Sequence, residues 1–182
     1  MSKEVMKHLI IDNFFDKFNF IKDEFKKIPR YEKDEYNELF PKDKQNWPGT
    51  RSGFILNTQP FLFNLFLKEF SKFNFDLTSN SVSLYTHLRL TKDEVKDWVH
   101  KDITSDYSCI VYLSETKLNS GTYFYSENKE IVSDIKFVQN RAILFDGRYF
   151  HSAYGHHGYT EDDGRLTLNA FIKKVKGSSF AF

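Results

Sequence analysis

The sequence predicts a mainly β fold, an antiparallel sandwich or jelly roll with N-terminal helices packed on one side. Three observations predict it. Two apolar segments with helical period fall early, the rest breaks into short alternating segments, and Asn, Ser, Gly and Asp mark the turns between those. A length of 182 residues suits one domain, with a helical part at about 1–75 and a strand-rich core at about 76–175.

In chain order, residues 8–15 read as a short strand running into a turn. Asp16 is the expected N-cap of the next helix. Phe14, Phe18, Ile21, Phe25 and Ile28 recur at steps of four and three, one face of an amphipathic helix that Pro29 stops. Residues 29–52 are polar and irregular, with Pro29, Pro41, Pro48 and Gly49. A connection that long reads as a lid or as a loop packed on the body, with Trp47 and Arg51 its most distinctive side chains. Residues 60–73, with Phe61, Leu62, Leu65, Phe66, Phe70 and Phe73, predict a second helix with Pro60 in its first turn. The period then changes to two: Val82, Leu84, Thr86, Leu88 and Leu90 alternate with Ser83, Tyr85, His87 and Arg89. Residues 92–97 read as a charged, solvated excursion, and residues 107–113, 122–125, 131–137, 142–145 and 166–172 as further strands.

Composition excludes several classes. Lys+Arg 26 against Asp+Glu 25 leaves a net charge of +1, which offers no electrostatic footprint for nucleic acid or an anionic membrane. No apolar run approaches the ~20 residues of a membrane span, and residues 1–5 carry no apolar signal core. Cys109 is the one cysteine, so no intrachain disulfide and no thiolate metal cluster can form; a reducing, cytoplasmic setting is expected. Within a strand, Cys109 reads as a small buried residue. The 20 Phe read first as the coding bias of an AT-rich genome and second as function.

The chemistry concentrates in histidines. One of the six, His100, stands in Trp98-Val99-His100-Lys101-Asp102, and three more are His151, His156 and His157. A His-x-Asp pair presents an imidazole nitrogen and a carboxylate oxygen from one strand end. A second histidine from a distant strand completes a 2-His-1-carboxylate face, which leaves open positions on an octahedral metal such as non-haem Fe(II). One such pair is close to what chance supplies, so the weight falls on the order of the segments downstream of it. A strand ends in Tyr112-Leu113-Ser114, then come Ser120-Gly121-Thr122-Tyr123-Phe124, the apolar Ala142-Ile143-Leu144-Phe145, His151 six residues on, and Arg165 fourteen residues past that. An arginine opening a buried strand is costly unless it meets an anion, and its fork fits a carboxylate.

This order resembles the 2-oxoglutarate- and Fe(II)-dependent dioxygenases, in particular the prolyl-4-hydroxylase-like branch. There, His-x-Asp is succeeded by a strand ending Tyr-Leu-Asn, then Gly-Gly-Glu-Thr-x-Phe, an apolar strand leading to a distal His, and a basic residue. Ile11-Asp12-Asn13-Phe14 also resembles the family's opening strand. The likeness spans roughly residues 80–172. Ser120 replaces the first Gly of the Gly-Gly pair, the Glu is missing, and the gap from His151 to Arg165 is longer than usual.

The resemblance implies a double-stranded β-helix (jelly roll) with Fe(II) held by His100, Asp102 and His151. It implies that Arg165 pairs with the far carboxylate of 2-oxoglutarate, with Thr167 nearby, Tyr112 helping and Tyr85 lining the pocket. It implies a hydroxylase acting on a protein side chain or small molecule, with O2 as co-reactant, ascorbate as a candidate reductant and succinate as product. An intact Asp102 favours hydroxylation or desaturation over halogenation. His156 suits the family spacing to Arg165 better than His151 does, but His151 has the matching offset from the apolar strand. His156 and His157 are then expected in an exposed loop. His87 reads as a sheet-surface histidine, Trp98 as a mouth or packing residue, and Asp146 with Arg148 as a turn ion pair or a substrate contact. Two rival readings are a cupin-like metal protein that does not use 2-oxoglutarate and a non-catalytic jelly-roll binding module.

Overall fold

A strand whose alternate side chains are apolar must bury one face, and a one-residue slip would exchange the two faces. That constraint organises the structure, a computed structural model describing residues 7–43, 46–73, 77, 81–94 and 98–173. Its elements are β1 (His8–Ile11), α1 (Phe18–Lys26), β2 (Arg30–Tyr31), α2 (Lys33–Leu39), β3 (Thr50–Ser52), α3 (Ile55–Thr58) and α4 (Pro60–Ser71), followed by β4 (Val82–Arg89), β5 (Tyr107–Tyr112), β6 (Lys117–Tyr125), β7 (Ile131–Phe137), β8 (Ala142–Asp146), β9 (Phe150–Tyr154) and β10 (Arg165–Ile172). Residues 1–6 and 95–97, to which the signal-core and charged-excursion readings extend, lie outside the described residues.

Two antiparallel sheets face each other. The larger has the order β1-β8-β5-β10-β4-β3-β2 and the smaller β7-β6-β9. On the outer face of the large sheet, Leu84, Leu88, Val111, Leu144, Leu166, Leu168, Ala170 and Ile172 meet Phe25, Phe63, Phe66 and Phe70 from α1 and α4. Each fully buried Leu or Phe there contributes about 1.5–3 kcal/mol. Between the sheets, Tyr112, Phe124, Ile135, Phe137, Ile143 and Phe145 fill one end with a second apolar cluster. The other part of the intersheet space is a cavity. Among the described residues, no helix is long and apolar enough to cross a membrane.

Several local expectations change. Asp16 does not cap α1; the N-cap is Lys17 and no side chain bonds there. Asp16 is instead drawn to Lys72 at the end of α4, 2.5 Å away. Residues 29–52 are not irregular: they hold β2, α2 and β3, and β3 pairs with β4. Tyr36 on α2 drives this, with its ring 4.8 Å from Trp47 and its hydroxyl donating to Asp43 at 2.6 Å. The N-terminal part therefore supplies strands to the main sheet as well as helices. β9, with no counterpart among the strands expected, pairs with β6 and carries His151.

Candidate active site

The His100–Asp102 loop is stitched to the strand opposite by its backbone. His100 N–H donates to the His151 carbonyl at 3.0 Å and His151 N–H to the His100 carbonyl at 2.9 Å. Asp102 N–H donates to the Gly147 carbonyl at 2.7 Å. The turn after β8 comes so close that a Cβ on Gly147 would lie 2.8 Å from the Asp102 carbonyl oxygen and 2.7 Å from that of Ser105. Glycine is needed there for space.

This stitching turns three side chains toward one point. The His151 Nδ1–H donates to the Tyr149 carbonyl at 3.0 Å, and the His100 Nδ1 makes a longer contact of 3.5 Å with the Trp98 carbonyl. A carbonyl only accepts, so Nδ1 carries a proton and Nε2 is the nitrogen that faces inward. His151 Nε2 is 3.5 Å from one Asp102 oxygen and His100 Nε2 is 3.8 Å from the other. The three ligand atoms all lie within 4.8 Å of one another. Burial, and then the neighbouring His151, pull the His100 imidazole down to about 4, so it is neutral and ligand-ready at pH 7. Ser108 Oγ donates to Asp102 at 2.6 Å, orienting the carboxylate. Two imidazoles and one carboxylate on one face, with the rest open, fit a non-haem Fe(II) or a similar divalent ion.

The triad lines one part of a cavity of about 620 Å³. Ile103, 79% exposed, also lines it and marks the mouth at the metal end. Arg165, only 6% exposed, lies beside the apolar plug, with its guanidinium 5.1 Å from the Phe137 ring and 5.2 Å from that of Tyr112. It donates to the Gly121 carbonyl at 2.9 Å and to Thr122 Oγ1 at 3.3 Å, and burial lowers its pKa. Thr167 shares the inward face of β10 with Arg165, and its hydroxyl donates to the His87 carbonyl at 3.4 Å.

The other expected site residues fall in different places. Tyr112 stands behind the cavity wall, its hydroxyl 2.7 Å from Thr122 Oγ1, and buttresses Arg165. Tyr85 lines the cavity, but its hydroxyl donates to Asp43 at 2.9 Å and its ring lies 3.6 Å from the Arg51 guanidinium. His156 is outside the triad, 3.1 Å from Thr91 Oγ1. His157 is not exposed as expected: it is 1% exposed, and both ring nitrogens are buried without a hydrogen-bond partner among the described residues. Nor is His87 on the outer sheet surface. It lines the cavity with Nε2 2.7 Å from the Pro48 carbonyl, and burial pulls it to about 3. Its place follows from β3, which covers β4 and pairs Arg51 with His87. Trp98 stands at the metal end, its ring 5.3 Å from that of His100. Asp146 and Arg148 form a turn ion pair.

Asp43 and Arg89 also line the cavity, and neither stood among the expected site residues. Arg89 had a signal, because it continues the inward row Tyr85, His87 along β4. Asp43 had none, since only the fold of residues 29–52 brings it to Tyr36 and Tyr85.

No protein-family model and no curated protein sequence matches the chain. Solved structures do match it. The epimerase SnoN from nogalamycin biosynthesis, a non-heme alpha ketoglutarate dependent protein, aligns at TM-score 0.59 and 10% identity, over 97% of this chain and 87% of its own. A Pseudomonas putida prolyl-4-hydroxylase aligns at TM-score 0.55 and 11% identity, over 93% and 94%. HygX from Streptomyces hygroscopicus, solved with nickel and 2-oxoglutarate bound, aligns at TM-score 0.59 and 13% identity, over 93% and 84%. Identities this low carry the fold. The chain is thus folded as the 2-oxoglutarate-dependent oxygenases are, on a double-stranded β-helix, and a His-Asp-His cluster lies between its sheets.

Proposed function

We propose that this protein is an Fe(II)- and 2-oxoglutarate-dependent dioxygenase, a hydroxylase of a protein side chain or small molecule. One observation carries the reading: His100, Asp102 and His151 converge in the same cavity that Arg165 lines. In this reading His100, Asp102 and His151 hold the metal. Arg165, supported by Tyr112 and Thr122 and flanked by Thr167, holds the remote carboxylate of 2-oxoglutarate. Tyr85 forms the wall and anchors Arg51 through its ring. Bound Fe(II) supplies activation of O2, coupled to decarboxylation of 2-oxoglutarate to succinate and CO2. The chain's own part is placement and exclusion of water. Trp98 screens His100 on one side, and Phe145, with its ring 4.8 Å from that of His151, screens the other.

Asp102 supports hydroxylation or desaturation over halogenation, because the carboxylate occupies the place a halide would need. An epimerase and a carbocyclase stand beside the prolyl hydroxylase among similar folds, so the substrate's chemistry selects the outcome. The buried thiol of Cys109 supports a reducing, cytoplasmic setting.

An anaerobic thermal-shift titration of metal-stripped protein tests the reading, with Mn(II) added first and 2-oxoglutarate second. Ligands that bind only the folded state raise the melting temperature. The expected result is an increment from 2-oxoglutarate that requires metal and is lost in Arg165→Ala. Stabilisation by metal with no increment from millimolar 2-oxoglutarate overturns the reading in favour of a cupin-like metal protein. No response to either favours a non-catalytic module.

A further inference from the structure

Arg165 is not the only buried cation that lines the cavity. β10 and β4 are antiparallel, and Arg165 stands directly opposite Arg89 in their register. Directly opposed residues project to the same face with Cβ atoms about 5 Å apart, and like charges so placed repel. Arg89 is 8% exposed and lines the same cavity. Its guanidinium has one long hydrogen bond, 3.4 Å to the Asp93 carbonyl, and lies 5.9 Å from the Trp98 ring, and its Nε is buried with no hydrogen-bond partner among the described residues. The Asp93 carboxylate accepts the Leu90 N–H at 2.9 Å, so it and Glu94 act on Arg89 through charge alone and offset only part of the burial and of the Arg165 repulsion. Among the described residues Arg165 hydrogen-bonds only neutral oxygens, those of Gly121, Thr122 and Tyr112. Burial first, and the Arg165 charge next, draw the Arg89 pKa down to about 10.

Among the described residues no carboxylate hydrogen-bonds either guanidinium, and an opposed pair of this kind is costly alone and strongly favourable once an anion enters. A carboxylate has about four lone-pair sites, enough for a fork from each side. Resting on the function proposed above, we infer that Arg89 is a second arm for the remote carboxylate of 2-oxoglutarate, which Arg89 and Arg165 clamp together from adjacent strands. The pair thereby sets specificity for a dicarboxylate over a monocarboxylic 2-oxo acid. The design places binding ahead of stability, since the apo protein carries the repulsion and the ligand relieves it.

The test is anaerobic calorimetry on Mn(II)-loaded protein with two probes: 2-oxoglutarate, and 2-oxobutyrate, which keeps the chelating 2-oxo acid and lacks the remote carboxylate. Arg89→Met should weaken 2-oxoglutarate by about 10- to 100-fold, the loss expected for a charged hydrogen-bonded contact, and leave 2-oxobutyrate unchanged. Arg89→Lys should recover part of the loss. Without ligand, Arg89→Met should melt at or above the wild-type temperature, which a merely structural arginine would not allow. Undiminished 2-oxoglutarate affinity in Arg89→Met, or an equal loss for both probes, overturns the clamp. If the wild type loaded with Mn(II) binds neither probe, the oxygenase reading itself falls, and the clamp with it.

Discussion

The two faces of β10 make opposite use of one strand. Leu166, Leu168, Ala170 and Ile172 point outward and disappear under the helices. Arg165, Thr167, Asn169 and Phe171 point inward and line the cavity. The outward face is apolar, well packed and needs no partner beyond the chain. The inward face carries a buried guanidinium and an Asn169 Oδ1 with no hydrogen bond among the described residues. A buried polar group left unpaired costs about 1–3 kcal/mol. The outer packing thus offsets an inner surface built for something else. That contrast locates function on the inner face independently of any motif.

The largest expected effect comes from breaking the inner face at the metal. Asp102→Ala removes the carboxylate that faces both histidines, and metal affinity should fall by more than about 100-fold, beyond the 10–100-fold typical of supporting contacts. Succinate release from 2-oxoglutarate should stop with it; Mn(II) binding monitored by calorimetry, at wild-type strength in this variant, would sink the assignment. On the outer face, Leu168→Ala should cost about 2–5 kcal/mol of stability. Chemical denaturation reads that loss, while 2-oxoglutarate affinity well below the midpoint should stay within a few-fold of the wild type. A parallel loss of binding would show that the two faces are not separable. A smaller change is Ser108→Ala, which removes the hydrogen bond orienting Asp102 and should weaken metal about 10-fold with little change in apo stability.

The subtlest prediction concerns pH. Burial draws His87 and His157 to about 3 in the folded protein. Both are neutral when folded and take up a proton when unfolded below their ordinary value of 6.5. Acid therefore favours the unfolded state, by about 1.4 kcal/mol per pH unit for each histidine. The apo melting temperature should decline from pH 6.5 toward pH 4.5, and His157→Leu should make that decline shallower while leaving the pH 7.5 value unchanged or higher. An identical slope in His157→Leu would show that His157 is protonated in the folded state.

Much of this contrast was legible in the residues. Period two along residues 82–90 and 166–172 separates the faces of β4 and β10, and helical periods give α1 and α4. The order His100, Asp102, His151, Arg165 was legible because it rests on residue type and sequence order alone. What escaped was short or conditional. β2 and β3 have two and three residues, too few for any period to show. α2 is mostly charged and buries only Tyr36, so its helix depends on Trp47 and Asp43, which come from further along the chain. His157 looked like an exposed loop residue because nothing local shows that its loop folds inward.

The sequence by itself determined the alternation, the helices α1 and α4 and the identity of the chemistry-bearing side chains, because these depend on local periods and residue type. The tertiary structure alone decided which of those side chains meet. The register of β4 against β10 sets Arg89 opposite Arg165, and the pairing of β3 with β4 encloses His87. The bridge between His100 and His151 closes the triad. Those juxtapositions join residues from 36 to 76 positions apart, a separation over which neither propensity nor periodicity carries information.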